Sequence, residues 1–97
     1  MKTIKIFITG IVQGVFFRSF VKEQAEKLKL KGFCRNLDDG KVEVVIEGRD
    51  ENVNEMVSSC KKGPKQSEIK EVEQEEIKHQ GFDSFKILTG WIKKDKY

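Results

Sequence analysis

Nine consecutive residues, Gly10-Ile11-Val12-Gln13-Gly14-Val15-Phe16-Phe17-Arg18, have the make-up of a turn that holds an anion. Glycines at 10 and 14 admit backbone conformations in which successive N–H groups point into one hollow. A helix that starts just after them adds the positive end of its dipole. Arg18 then supplies a permanent charge whose planar fork matches phosphate oxygens. A plainer reading stands beside this one: the glycines allow a tight crossover and Arg18 sits on the surface. Neither nucleotide motif fits, because no Lys follows in the G-x-x-x-x-G-K-[ST] manner and G-x-G-x-x-G is absent.

Asn36 is a second candidate. A carboxamide both donates and accepts, so it can hold a water by its oxygen while its NH₂ faces phosphate, without the repulsion a carboxylate would add. An Asx-type turn into Leu37-Asp38 would also account for it. Other chemistries find less support. A cysteine phosphatase needs Arg six positions after its Cys, whereas Gly40 and Gln66 stand there after Cys34 and Cys60. Ser19 has only His79 as a base, far along the chain. One His and scattered carboxylates give no metal-ligand pattern, so no metal and no cofactor are implied. The two cysteines read as buried free thiols, with a bridge between them open under oxidant.

The elements that must position these residues follow from periodicity. Ile4, Ile6 and Ile8 alternate with Lys5, Phe7 and Thr9, the period of a strand. Phe17, Phe20, Val21, Ala25 and Leu28 recur at helical spacing, which predicts an amphipathic helix over Ser19 to Leu30, ended by Gly32. Two short strands, Phe33 to Leu37 and Lys41 to Glu47, flank Asp38-Asp39-Gly40, a hairpin signal. Asp50 or Asn52 can cap a second helix carrying Val53, Met56, Val57 and Cys60, stopped by Gly63-Pro64. The glutamate-rich stretch Ser67 to His79 reads as an exposed edge strand, and Phe85 to Leu88 as a last short one. This order predicts an α+β, ferredoxin-like split βαβ fold (βαββαβ): an antiparallel sheet of four to five strands with two helices on one face.

With 97 residues, 37% apolar and 36% charged, the chain suits one domain over residues 1–97, with 89–97 as a C-terminal tail holding Trp91 and Tyr97. Neither a membrane-spanning run nor a signal peptide is read, so the expected address is cytoplasmic, with no membrane partner. The net charge is +3, but Met1 to Lys22 holds four basic residues and no acid, against 15 basic and 16 acidic residues in the remainder. Positive potential thus gathers around the glycine turn, which suits a small anion better than a nucleic acid. Lys31-Gly32-Phe33 matches the start of an RNA-recognition motif, yet Cys34, Arg35 and Asn36 break it. Phe16, Phe17, Phe20 and Phe33 read as core or loop-packing residues.

Taken with Gly32-Phe33-Cys34-Arg35-Asn36-Leu37-Asp38-Asp39-Gly40-Lys41-Val42 running on to Gly48, and with Gly63-Pro64 followed by Ser67, Ile69 and Val72, the glycine turn resembles the acylphosphatase family over nearly the whole chain. The resemblance implies hydrolysis of the carboxyl-phosphate anhydride of acyl phosphates, a small-molecule substrate, by a monomer. It implies phosphate binding by the backbone of Gln13, Gly14, Val15, Phe16 and Phe17 and by Arg18, with Asn36 positioning the attacking water. The tail beyond Leu88 is longer and richer in lysine than the family pattern. An anion-binding module without turnover is the alternative of another class.

Overall fold

The computed structural model describes residues 1–89. The tail with Trp91 and Tyr97 lies outside them. In chain order the elements are β1 (Lys2–Ile11), α1 (Phe17–Lys27), β2 (Lys31–Asn36), β3 (Val42–Gly48), α2 (Asp50–Lys62), β4 (Glu68–Glu76) and β5 (Phe85–Leu88). They form a five-stranded sheet in the order β4-β1-β3-β2-β5. β1 pairs antiparallel with β3 and β4, and β2 antiparallel with β3. β5 joins β2 in parallel, which makes the expected antiparallel sheet a mixed one. That pairing brings Leu88 beside Arg35, one residue from Asn36.

Alternation places Ile4, Ile6, Ile8, Cys34, Val44 and Ile46 on one face. There they meet Phe17, Val21 and Ala25 of α1 and Val53, Met56, Val57 and Cys60 of α2 in one core. Both cysteines are free and buried. No helix among the described residues is long and apolar enough to cross a membrane.

Four local expectations need correction. α1 begins two residues before Ser19 and stops before Leu30. Lys29 turns left-handed at φ 56°, and the N–H groups of Lys29 and Leu30 donate to Glu26 O (3.1 Å) and Ala25 O (2.8 Å), a Schellman closure that needs no glycine. Gly32 instead lies inside β2, where a Cβ would stand 1.9 Å from Val45 O. Gly10 is likewise a strand residue rather than part of the anion turn, at a register shift where a Cβ would stand 2.0 Å from Glu68 O. Arg49, not Asp50 or Asn52, is the N-cap of α2, without a side-chain bond, and the acids Asp50 and Glu51 sit in its first turn against the dipole.

β3 lies between two strands and is buried along its whole length, including Glu43 and Glu47 on the face away from the helices. Glu43 pairs with Arg35, directly opposite on β2. Glu47 accepts from the N–H groups of Gln80 and Gly81 at 3.1 to 3.3 Å and meets His79 Nδ1 at 2.6 Å. Burial pushes its carboxyl up, but those N–H groups, the His79 charge and the Phe82 N–H outweigh it and hold the pKa below the ordinary carboxylate value. A pKa lower in the folded state than in the unfolded one contributes stability above the unfolded value, lost as pH falls through the folded one. Glu47→Gln should therefore destabilise the protein by about 1–3 kcal/mol at neutral pH. Denaturant titrations should show that difference shrinking once pH falls below about 4.

Candidate functional site

Between β1 and α1 the chain reverses through two left-handed residues, Gly14 at φ 75° and Phe16 at φ 61°. Such alternation gathers main-chain N–H groups on one concave side. A Cβ at Gly14 would meet nothing within 4 Å, so its backbone angle alone calls for glycine. The first bond of α1 runs from Phe20 N to Phe16 O at 3.1 Å, which leaves the N–H groups of Phe17, Arg18 and Ser19 without helical acceptors. No side chain caps this end, and its first turn contains no acid. The positive pole of the helix is thus open to an external anion.

Because α1 starts at Phe17, Arg18 stands in its first turn. The guanidinium Nη1 donates to Leu88 O of β5 at 3.3 Å, and the Cys34 thiol donates to Arg18 O at 3.7 Å. Burial drives the Cys34 pKa up to about 12 despite the lowering effect of Arg18 and Lys22. Cys34 is thus a protonated donor, not a nucleophile. Asn36 ends β2, and its Oδ1 is buried with no hydrogen-bond partner among the described residues. The hairpin does not use it as an Asx residue: Asp39 Oδ1 takes that part, accepting from Lys41 N at 3.1 Å.

Gly14, Phe16, Phe17, Arg18 and Asn36 line one hollow of about 270 Å³, with Val12, Ser19 and Ile87. That volume lies just below the range of roughly 300–1,000 Å³ usual for small-molecule sites. For Gln13 and Val15 the expected contact is the main-chain N–H, and their side chains point away from the hollow. Val15 packs against the core, and the Gln13 side chain runs to the hairpin. Gln13 Nε2 donates to Leu37 O and Lys41 O, both at 2.9 Å, and so ties the anion turn to the strand end that carries Asn36. Sequence reasoning missed this clamp and the Leu88 carbonyl, since side-chain bonds to distant main chain leave no periodic signal.

Phe33 is 4% exposed and packs edge-on against Phe82 at 5.8 Å, so it offers no stacking platform for RNA bases. Phe16 contradicts its reading as a packing residue, with 78% of its surface exposed. His79 lies on Glu47, away from Ser19, in a hollow of about 670 Å³ at the opposite end of the sheet. That larger hollow contains none of the candidate residues. Among the described residues no group of three or more His, Cys, Asp or Glu is placed to hold a metal.

A ferredoxin-like sheet with an open helix N-terminus and a guanidinium in its first turn is a layout suited to a small oxyanion. The acylphosphatase family model matches residues 4–87. The acylphosphatase of Rubrobacter xylanophilus is 45% identical over 75 residues, 77% of this chain and 68% of that protein. That of Haloarcula marismortui is 40% identical over 82 residues, 84% and 90% of the two. The crystal structure of acylphosphatase from Bacillus subtilis superposes with a TM-score of 0.89 at 36% identity, covering 92% of this chain and 100% of that one. The chain belongs to the acylphosphatase family, and with it to the hydrolases that act on acyl phosphates.

The Gln13 clamp can be tested by stability alone. Gln13→Ala should cost about 1–3 kcal/mol for its two bonds. Gln13→Glu should cost more, because a carboxylate would face two carbonyl oxygens. Chemical denaturation giving the Glu variant wild-type stability would remove the clamp.

Proposed function

We propose that this protein hydrolyses acyl phosphates without a metal, with Arg18 and the turn amides from Gln13 to Phe17 binding the phosphoryl group and Asn36 positioning the water. The observation that carries this reading is the buried, unpartnered Asn36 Oδ1 in one hollow with Arg18 and Gly14. A buried acceptor without a donor is costly, and a water in the hollow would supply the donor. The same carboxamide's NH₂ then faces a phosphoryl oxygen.

The chemistry demands little beyond this. Water oxygen bonds to phosphorus in line with the departing acyl oxygen, and the phosphorus–oxygen bond breaks with its electron pair leaving on the carboxylate. One water proton passes to a phosphoryl oxygen. With so good a leaving group, positioning and charge stabilisation govern the rate more than a strong base does. Arg18 meets the equatorial oxygens with a fork that Leu88 O already holds in place.

Benzoyl phosphate hydrolysis tests the reading. Arg18→Ala should reduce kcat/KM at least about 100-fold. Asn36→Ala should lower kcat by about 100- to 1,000-fold while inorganic phosphate still inhibits. Wild-type turnover should survive a chelator. Full activity in Asn36→Ala would take Asn36 out of the mechanism, and activity lost to the chelator would overturn the metal-free route.

A further inference from the structure

Phe16 is unfavourably placed twice over. Its backbone is left-handed at φ 61°, a conformation that bulky side chains avoid, and its ring is 78% exposed. Among the described residues the other non-glycine of positive φ is Lys29, and that turn is explained by the closure of α1. At Phe16 the turn calls for the backbone angle but not for a bulky, exposed aromatic side chain on it. As N-cap of α1 it offers no side-chain acceptor, where Asn would suit both the cap and the angle. The ring does not belong to the core cluster or to the residues packed against it.

What sets Phe16 apart is its position on the wall of the hollow that holds Arg18 and Asn36. The polar end of that hollow is matched to a phosphoryl group. About 270 Å³ is more than that group fills, and the remaining wall includes Val12, Phe17 and Ile87. Val12 and Phe17 are each 1% exposed, so the apolar surface that the hollow offers among the described residues comes chiefly from Ile87 and the exposed ring of Phe16.

We infer that Phe16 is a specificity residue whose ring receives the acyl group, so that the enzyme selects aromatic or extended apolar acyl phosphates over short ones such as acetyl phosphate. This rests on the hydrolysis of acyl phosphates proposed above. The left-handed backbone turns the ring out to the mouth of the hollow while its neighbours turn their N–H groups inward. An apolar acyl group would cover the ring, and the area removed from water there favours such substrates. Contact distant from the reacting phosphorus adds binding that a short acyl group cannot obtain.

The test compares benzoyl phosphate with acetyl phosphate in the wild type, Phe16→Asn and Phe16→Trp. Asn tolerates the left-handed angle and removes the ring; Trp keeps an aromatic face. The kcat/KM ratio of benzoyl to acetyl phosphate should fall about tenfold in Phe16→Asn, mainly through KM, and be retained in Phe16→Trp. Equal loss on both substrates in Phe16→Asn would assign Phe16 to loop structure and overturn the inference, as would an unchanged ratio. A wild type that hydrolyses neither substrate would overturn the proposed function itself, a result distinguishable from either.

Discussion

One carboxamide fixes the distance between the two halves of the site. The anion turn and the hairpin are joined through Gln13, whose bonds to Leu37 O and Lys41 O hold Gly14 and Arg18 against the end of β2. Two further ties point the same way: Cys34 Sγ to Arg18 O, and Arg18 Nη1 to Leu88 O. In each a side chain donates to a main-chain carbonyl. Substituting the residues that own those carbonyls leaves the acceptors in place, so the geometry is anchored in the main chain of the hairpin, the first helix and β5.

The central strand adds a second constraint. Arg35 and Glu43 face each other across β2 and β3 with neither side chain exposed. Removing two charges from water costs free energy that only close pairing offsets. A slip of β2 by one residue against β3 would part them and turn Arg35 to the face opposite Glu43. Asn36 follows Arg35 directly, so the pairing that fixes the register also decides where the carboxamide stands. The pair adds little net stability by this argument and a good deal of positional certainty.

Features that announce themselves by period or turn chemistry were legible in the sequence: the alternating isoleucines of β1, the Asp38-Asp39-Gly40 hairpin, the exposed glutamates of β4, and Val53, Met56, Val57 and Cys60 on α2. The meeting of Arg18 with Asn36 in one hollow was expected only through the resemblance to the acylphosphatase family, since by position alone Asn36 reads as a turn residue. The ends of α1 were not legible. A lysine closes the helix in the left-handed turn usually given to glycine, while Gly32 is needed for close approach to β3. Glu43 and Glu47 hide in the same way, because a charged residue signals exposure until its partner in space is known. Phe16 is the reverse case, an apolar residue that composition assigns to the interior and the backbone turns outward.

The bond between Arg18 and Leu88 spans 70 positions of the chain. During synthesis the turn, the first helix and the hairpin leave the ribosome well before the strand that steadies the guanidinium. On the role proposed for Arg18, a nascent chain gains its complete phosphate grip only after Leu88 has emerged and the last strand has zipped onto β2.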